Sequence, residues 1–480
     1  MSSPVGDAVV VGSGPNGLAA AVTLAQAGLS VTVLEARDQI GGGTRTQELT
    51  LPGLLHDVCS AVHPFAAASR FFATLPLREH GLEWRYPDID LAHPLDGGRC
   101  GAMYRSVEHT EASLGEDGAR WRRIFGPLSE RFDDISLDFL APVLHVPRHP
   151  VSMVRFGLRG GLPASMLARA FRTEEARALY GGTAAHLMQP LDRPATAAAG
   201  TMLIAAAHHV GWPVAAGGSQ SITGALAGLL RSLGGTIETG VHVTSLAQLP
   251  PSRLVFFDTS PAAVLRIAGD RLPSSTRRAY ERWTYGPAAY KVDLAVHGGI
   301  PWTAEPCRRA GTVHCGGTYA EIAHGEKEVH RGRMPERPFV LVGQQYLCDP
   351  QRSQGDVHPI WAYAHVPNGW TGDATQAILL QIERFAPGFR ERIVGRHVMP
   401  PAALESYNEN YPGGDISTGA NTLRQVLLRP RVSPDPYPIG IPGMYLCSAA
   451  TPPGAGVHGM SGHYAALSAL DHLRGRRAAG

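Results

Sequence analysis

The sequence lacks the features that mark several common classes of protein. Its six cysteines include no C-x-x-C pair, which argues against a zinc ribbon and against a dithiol redox centre. Its 43 basic residues barely outnumber its 41 acidic residues, so charge gives no case for nucleic-acid binding. No apolar run reaches the roughly 18 residues that a membrane span needs, and no G-x-S-x-G motif is present. Because no basic segment precedes the first apolar stretch, we predict a cytoplasmic protein without a signal peptide.

A glycine-rich motif near the N-terminus lies between two predicted strands. Residues 8–11 form a short β-branched run, and G-S-G-P-N-G follows at once at residues 12–17. A stretch of helix-forming composition leads to the second apolar run, Val31–Leu34, which ends at Glu35. This order of strand, glycine turn, helix, strand and acid predicts a dinucleotide site.

Each position of this motif has a physical role. Gly12 permits the tight turn, Gly14 lets the backbone approach a pyrophosphate, and Gly17 lets the helix pack on the sheet. The start of the helix carries partial positive charge and free N–H groups, which suit a diphosphate. The Glu35 carboxylate is placed to accept the ribose hydroxyls, and it disfavours a 2′-phosphate.

The residues on both sides of Glu35 resemble a known cofactor-binding opening. The stretches VVGSGPNGLAAA and VTVLEARDQIGGGTRT resemble the FAD-binding start of the amine oxidase, phytoene desaturase and Rab-GDI superfamily. That likeness favours FAD over NAD. In the family form G-G-R-x-x-S/T, Gly43 stands in the arginine position, and Arg45 is a candidate substitute.

The likeness extends over nearly the whole chain. It is closest to the phytoene-dehydrogenase-like branch that is named after a pyridine nucleotide-disulphide oxidoreductase domain. The matching stretches are Leu49–Ser69, Ala289–Val296, Arg337–Gln345, Ile382–Phe389 and Gly443–Ala466. The resemblance implies an α/β fold with a discontinuous Rossmann-like FAD-binding domain and an interleaved α+β substrate domain. We assign residues 1–75, 214–267 and 430–480 to the first domain, and 76–213 and 268–429 to the second.

A second G-x-G-x-x-G, at residues 454–459, follows a predicted strand and precedes a predicted helix that begins at Met460. No strand with a terminal acid follows, so this loop is not a separate NAD(P) site, and we expect oxygen or a quinone to take the electrons. The resemblance implies that the loop lies beside the flavin ring, where helix N–H groups stabilise the negative charge of reduced flavin. Ser448 stands where many relatives have Gly-Asp.

The residues predicted to contact FAD come from these segments and from the stretch expected to meet the adenine. They are Gly12, Gly14, Pro15, Asn16, Gly17, Glu35, Ala36, Arg37, Gly42, Gly43, Thr44, Arg45, Val243, Ser448, Gly456, Val457 and His458. His458 and His63 are candidate bases for proton removal, with His463 as a third, because histidine titrates near neutral pH. A structural role competes with catalysis for each of them. No spacing of residues predicts a metal site.

By resemblance, we predict an FAD-dependent oxidoreductase that moves hydride from a lipophilic, isoprenoid or polyene-like substrate to flavin N5. The alternatives are a flavin-dependent polyene isomerase, an amine-oxidase type of C–N oxidation, and a non-catalytic GDI-like binding protein. The intact glycine motif and Glu35 argue against the last of these.

One segment also bears on contact with a membrane. In Arg148–Leu162, apolar residues recur at helical spacing among arginines. The pattern fits a core-facing helix, which we favour, or an interfacial helix that touches anionic lipid. The second interpretation would make the protein peripheral to a membrane.

Overall fold

The computed structural model describes residues 6–142 and 145–479, with side chains described as far as residue 475. The ends of the predicted domains at 1–5 and 480 lie outside this part. The strands are β1 (Gly6–Val11), β2 (Val31–Leu34), β3 (Thr46–Gln47), β4 (His56–Asp57), β5 (Trp84–Arg85), β6 (Ile89–Pro94), β7 (Cys100–Met103), β8 (Val214–Ala215), β9 (Thr236–Glu238), β10 (Ser252–Phe257), β11 (Ala288–His297), β12 (Ala310–Cys315), β13 (Val340–Gly343), β14 (Val357–Val366), β15 (Ile393–Met399) and β16 (Met444–Leu446).

Helices cover the faces of the sheets and fill the space between them. They are α1 (Pro15–Gln26), α2 (Pro64–Ala67), α3 (Arg70–Ala73), α4 (Val107–Ser113), α5 (Gly118–Glu130), α6 (Phe132–Phe139), α7 (Pro150–Gly160), α8 (Ala164–Ala168), α9 (Glu174–Ala185), α10 (Ala197–Val210), α11 (Gln220–Ser232), α12 (Pro261–Ala268), α13 (Ser274–Glu281), α14 (Tyr319–His330), α15 (Thr375–Glu383), α16 (Pro401–Tyr407), α17 (Leu423–Leu427) and α18 (Met460–Ala479).

The first sheet is parallel, with strand order β16-β10-β1-β2-β9. Its central strand β1 is apolar and buried from Ala8 to Val11 because helices cover both faces, as expected for a parallel sheet. The five strands come from three separate parts of the chain and all lie within the segments 1–75, 214–267 and 430–480. The α/β fold class is therefore confirmed, while the domain bounds themselves stay a prediction.

The second sheet is mixed, with strand order β15-β11-β14-β13-β12-β6-β7. Its neighbours are antiparallel except for the parallel pair β12 and β6. Its strands lie within 76–213 and 268–429. The two long strands β11 and β14 are buried almost throughout because helices and loops cover both faces of this sheet.

Helices α1 and α18 bring the two ends of the chain together. Helix α18 packs on α1 so closely that a Cβ on Gly462 would overlap the Asn16 carbonyl oxygen and lie 2.9 Å from the Ala20 nitrogen. Both glycine loops follow parallel strands of one sheet, so they emerge at the same edge. This edge is where ligands of doubly wound sheets bind.

Helix α7 does not bury the apolar residues that the sequence places at helical spacing. Val151, Val154 and Leu158 are 65%, 62% and 69% exposed, so the favoured prediction of a core-facing stripe is wrong for them. The buried face of α7 presents Phe156 instead. In the described part of the chain, no helix has the length and apolar character needed to cross a bilayer.

Candidate cofactor and substrate cleft

One continuous cleft begins at the edge of the parallel sheet and opens into a chamber against the mixed sheet. Its lining includes most of the residues predicted to contact a cofactor. These are Gly12, Gly14, Pro15, Asn16, Glu35, Ala36, Arg37, Gly42, Gly43, Thr44, Arg45, Val243, Ser448, Gly456 and Val457. Gly17 and His458 are not among the lining residues, and their contact with the cofactor stays a prediction.

The first glycine loop has the geometry that its sequence predicts. Gly12 has a φ of +103°, and a Cβ there would lie 2.8 Å from the Asp258 carbonyl oxygen. A Cβ on Gly17 would overlap the Gly12 carbonyl oxygen, so this glycine serves the packing of helix on strand. The loop therefore leaves Gly14 as the position where the backbone is open toward the cleft.

Asp258, at the end of β10, was not predicted to belong to the site. Its carboxylate accepts the Gly17 N–H at 2.9 Å, directly under the N-terminus of α1. Burial, helped by the nearby Glu35 carboxylate, raises the pKa of Asp258 to about 7, against the opposing pull of the Gly17 N–H. The carboxyl group can thus hold a proton at neutral pH beside the place where a diphosphate would bind.

Glu35 is held in a fixed position at the end of β2. Its carboxylate accepts the backbone N–H groups of Ser13 at 3.1 Å and of Arg37 at 2.9 Å, and it also accepts the Ser13 hydroxyl. Arg45 pairs with it at 3.0 Å. The Arg45 guanidinium is therefore used to neutralise Glu35, which leaves it less free to replace the missing family arginine.

Tyr411 occupies the space next to Gly43, the glycine in the family arginine position. A Cβ on Gly43 would overlap the Tyr411 hydroxyl, so a larger side chain at position 43 would require Tyr411 to move. Tyr411 and Tyr407 both line the cleft at this point. The sequence motif alone did not indicate that Tyr411 lies next to Gly43, because the two residues are far apart in the chain.

The stretch expected near the adenine is mostly loop. Strand β9 ends at Glu238, before the predicted cofactor contact Val243. Beyond it, the Val241 N–H donates to the Glu35 carbonyl oxygen at 2.8 Å, and this places Val241 and Val243 in the cleft lining next to Glu35. The backbone of this segment is thus positioned by the same residue that is predicted to hold the ribose.

The second glycine loop leads from β16 into α18. Gly454, Gly456 and Val457 have φ values of +117°, +146° and +59°, so the loop turns sharply before the helix begins. Behind it lies the buried Arg429, whose Nη1 donates to the Ala449 carbonyl oxygen at 3.2 Å. Burial lowers the pKa of Arg429 to about 10, so it remains a cation at neutral pH. Sequence reasoning did not identify this charge.

The ring of His458 is arranged so that it cannot act as a base. Its Nδ1 accepts the Met460 N–H at 3.0 Å, so the ring proton is on Nε2 and no free lone pair remains. Burial lowers the pKa of His458 to about 4, which keeps the ring neutral. This geometry argues for a cap at the start of α18 and against the predicted catalytic role.

His63 and His463 also have structural partners. The Ser219 hydroxyl donates to the Ser60 carbonyl oxygen at 2.7 Å, so His63 Nε2 must donate to Ser219, at 2.8 Å. The His63 ring is buried and is not part of the cleft lining. His463 Nδ1 lies 3.0 Å from the Thr23 hydroxyl between α1 and α18, and its ring is stacked on Phe71. Neither arrangement supports a role in proton removal.

The chamber beyond the glycine loops has mostly apolar walls with a few polar groups. Its lining includes Leu203, Trp212, Leu341, Trp361, Tyr363 and Ile416 together with His186, Thr312 and Gln345. The polar members come from α9 and the mixed sheet and were not predicted, because no motif marks them. This composition is typical of a small-molecule pocket.

Lys291 stands behind the chamber wall. Its ammonium lies 5.9 Å from the Trp361 ring centroid and is paired with Asp293. Burial alone would raise the pKa of Asp293, but the Lys291 charge outweighs it and holds that pKa well below its usual range. Among residues 6–142 and 145–479, no cluster of histidine, cysteine, aspartate and glutamate is placed to hold a metal ion.

Comparisons with known proteins agree with this fold and cleft. The family model described as an NAD(P)-binding Rossmann-like domain matches residues 10–75. A rat protein named pyridine nucleotide-disulfide oxidoreductase domain-containing protein 2 is 24% identical, over 96% of this chain and 93% of its own length. Hydroxyneurosporene desaturase of Cereibacter sphaeroides is 26% identical over 98% of both chains. A putrescine oxidase structure with bound putrescine superposes with a TM-score of 0.62 at 19% identity, covering 98% of this chain and 99% of its own.

The fold, the cleft and these relatives together define an oxidoreductase of the flavin type. Over nearly its whole length the chain is similar to members of the amine oxidase/phytoene desaturase-like superfamily, in agreement with the resemblance of its sequence motifs. Despite the name of the rat relative, the cleft presents no pair of thiols, because Cys59 is the one cysteine among the described residues that line it.

Proposed function

We propose that this chain binds FAD and oxidises a lipophilic substrate by removing a hydride and a proton from adjacent atoms. The observation that carries this proposal is the continuity of the cleft. The same cavity is lined by Gly14 and Glu35 at one end, by Ser448 and Gly456 in its middle, and by Trp361 at the other end. A dinucleotide lying in such a cleft would have its redox-active ring between the second glycine loop and the apolar chamber.

The residues present fit FAD. Gly14 lines the cleft at the start of α1, where the diphosphate would approach, and a Cβ there would lie 2.5 Å from Asp258 Oδ2. Glu35 is fixed for the ribose, and residues 241–243 border the adenine end. Bound FAD would supply a two-electron acceptor at its isoalloxazine ring. The start of α18 and the buried cation Arg429 are placed to stabilise negative charge there.

The chain's own residues would bind the substrate and exclude water. Trp361, Tyr363 and Leu341 present apolar surface from the mixed sheet and are buried. Trp361 is fixed because its Nε1 donates to the Cys59 carbonyl oxygen at 3.1 Å, which ties the chamber wall to the cofactor side of the cleft. Rigid apolar walls of this kind favour a long hydrocarbon over a charged metabolite.

The direct test uses the purified protein under anaerobic conditions. It should be yellow, and the flavin absorption band should bleach on addition of a substrate from one of three classes: a polyene hydrocarbon, a hydroxylated isoprenoid or a primary amine. Bleaching supports dehydrogenation, and reoxidation by oxygen or by a quinone identifies the electron acceptor. A product that changes without net bleaching would instead support isomerisation. A colourless protein that takes up no FAD would contradict the proposal.

A surface next to the chamber suggests how a lipophilic substrate could enter. Phe65, which lines the cleft, contacts Phe139 at a ring distance of 6.3 Å, and Phe139 contacts Phe156 of α7 at 5.6 Å. The opposite face of α7 exposes Val154 and Leu158 to solvent. A row of packed aromatic rings therefore connects the cleft lining with the buried face of α7. We propose that the exposed face of α7, with Arg148, Arg155 and Arg159 around it, rests on an anionic bilayer.

We predict that the double variant Val154→Ser/Leu158→Ser binds vesicles of phosphatidylcholine and phosphatidylglycerol about 10- to 100-fold more weakly than the wild type. This change corresponds to about 1.4–2.8 kcal/mol, which is less than the ~3–6 kcal/mol that two fully buried side chains would contribute, because a helix lying on the surface inserts its side chains only in part. Vesicle co-flotation measures the binding. Leu380→Ser, which changes an exposed leucine on α15, is the matched control and should bind normally. If the double variant and Leu380→Ser bound the vesicles equally well, the proposal that the exposed face of α7 rests on a bilayer would be contradicted.

A further inference from the structure

Three histidines form a line that starts in the chamber wall. His186 lines the chamber, and its Nε2 lies 3.0 Å from Nε2 of the buried His314. The His314 ring faces that of His93 edge-on at a centroid distance of 6.4 Å. At the inner end, His93 Nε2 lies 2.7 Å from the Gly317 carbonyl oxygen. The line therefore ends at a group that can only accept a hydrogen bond.

The Gly317 carbonyl fixes where the ring protons are. Because it only accepts, His93 carries its proton on Nε2 and presents a lone pair at Nδ1. The Nδ1 atoms of His93 and His314 have no partner of their own, and both lie within 2.9 Å of the point where a side chain at Gly182 would begin. A proton on His314 Nδ1 avoids placing two lone pairs side by side, so we assign it there, and His314 Nε2 then accepts a hydrogen bond from His186 Nε2.

With the ring protons assigned in this way, His186 is protonated at Nε2 and unprotonated at Nδ1. Burial lowers the pKa of His186 to about 3 and that of His93 to about 4, so each ring is neutral and carries a single proton. Burial also holds the pKa of His314 well below its usual range, with the neighbouring histidines adding to the effect. Within the described residues, His186 Nδ1 has no hydrogen-bond partner, and unlike Nδ1 of His93 it is not sealed from the chamber.

A second open polar group lies in the same wall. The Gln345 amide lines the chamber, is buried, and has no partner for its Nε2 in the described part of the chain. It folds back over Gly343, which pairs with Thr312 across strands β12 and β13. The Thr312 hydroxyl accepts the Trp212 Nε1–H at 3.0 Å, and the Trp212 ring lies edge-on to His186. An open acceptor and an open donor thus line the same, otherwise apolar chamber.

The geometry points to a polar subsite in which His186 Nδ1 accepts a hydrogen bond from the substrate and Gln345 donates one to it. A hydroxyl group satisfies both, since its oxygen both donates and accepts. This inference rests on the proposed function and narrows its substrate class to a lipophilic molecule that carries a hydroxyl group. An unpaired buried donor or acceptor is costly, so the site discriminates against analogues that lack the group.

The test compares three probes with one carbon skeleton: geraniol, geranyl methyl ether and myrcene. The purified holoprotein should bind geraniol about tenfold more tightly than the ether, because only the alcohol can donate to His186. His186→Phe should abolish this difference. Gln345→Leu should instead abolish the advantage of the ether over myrcene, because the ether oxygen still accepts. His324→Gln, an exposed histidine on α14, is the matched control and should behave like the wild type.

Binding is followed by tryptophan fluorescence, since Trp212 and Trp361 line the chamber. This readout needs neither turnover nor a bound flavin, so a failed subsite is distinguishable from a failed assignment of FAD. A measurement without substitution complements it: long-range ¹H–¹⁵N spectra of histidine-labelled protein should show His186 protonated at Nε2, with its Nδ1 signal shifted by geraniol but not by the ether. The proposed polar subsite would be overturned if the wild type bound geraniol and its methyl ether equally. It would also be overturned if His186→Phe still bound geraniol more tightly than the ether.

Discussion

Gly462→Ala is expected to prevent the two ends of the chain from closing on the cofactor. The new Cβ would overlap the Asn16 carbonyl oxygen and lie 2.7 Å from the Asn16 carbonyl carbon and 2.9 Å from the Ala20 nitrogen. These atoms belong to the backbone of α1, at the turn that follows the first glycine loop, so they cannot rotate away as a side chain could. Overpacking of a rigid contact costs about 1–3 kcal/mol, and we expect the upper part of this range.

The expected consequence extends to the flavin. If α18 moves away from α1, the second glycine loop moves away from the first, because each loop leads directly into one of these helices. We expect a lower unfolding temperature of the apoprotein, measured by circular dichroism, and release of the flavin at a lower temperature, measured by its fluorescence.

Gly475→Ala is the matched control for this experiment. It lies in the same helix with nothing within 4 Å of the added Cβ, and an alanine in an exposed helix position should be neutral or stabilising by about 0.5–1 kcal/mol. If both variants melt at the same temperature and retain flavin equally, close contact between α1 and α18 is not what joins the two ends.

The structure of the first glycine motif could be predicted from the sequence because it is determined by residues that are adjacent in the chain. A strand, a turn that requires glycine and a helix are specified by adjacent residues, and the structure has β1, Gly12 with positive φ, and α1 in this order. The three-part parallel sheet was predicted from resemblance to a superfamily, since nothing in β9 or β16 alone indicates its neighbours.

The remainder of the site depends on contacts between residues far apart in the chain. Asp258 reaches the start of α1, and Tyr411 fills the position opposite Gly43, yet both lie in segments without a motif. His458 was predicted as a candidate base because it lies within the second glycine loop, but its Nδ1 accepts the Met460 N–H. Sequence patterns give the position of a side chain along the chain and leave its orientation open.

Helix α7 shows a different limit of prediction from sequence, which concerns the environment that an apolar stripe faces. The spacing of Val151, Val154 and Leu158 is the same whether the stripe faces a core or a membrane. Only the packing of Phe156 against Phe139 on the other face shows which side of the helix the protein covers.

Arg352→Met is expected to destabilise the protein by about 3–5 kcal/mol, because it leaves buried carboxylates without a counter-charge. Arg352 is 1% exposed, and it donates to Asp57 at 2.6 Å and to Asp349 at 2.9 Å. Its third partner is the Ala215 carbonyl oxygen at 2.8 Å. These partners come from three distant parts of the chain, so this one guanidinium joins segments assigned to both predicted domains. A lysine could not reproduce the three directions of donation.

The pH dependence of the stability of Arg352→Met distinguishes the effect of an unpaired buried charge from a simple loss of packing. Burial would raise the pKa of Asp57, but Arg352 and the Ser219 N–H outweigh it and hold that pKa below its usual range. In the wild type, the stability from this pair is therefore present above the unfolded pKa of aspartate and is lost only as pH falls through the lower folded value. In Arg352→Met the Asp57 carboxylate has lost its cation, so its folded pKa rises, and acid neutralises it in the folded state.

Arg352→Met should therefore unfold at a temperature closer to that of the wild type as the pH is lowered from 7 to about 5. The reason is that the unpaired Asp57 carboxyl of the variant has a raised pKa and takes up a proton in this range. Adding Asp57→Asn to Arg352→Met should recover part of the loss at pH 7, since it removes the unpaired charge directly. Arg331→Met breaks an exposed pair with Glu328 and is the matched control, with an expected cost of about 0–1 kcal/mol. A loss that is independent of pH and is not recovered by Asp57→Asn would mean that Arg352 stabilises the fold through packing alone.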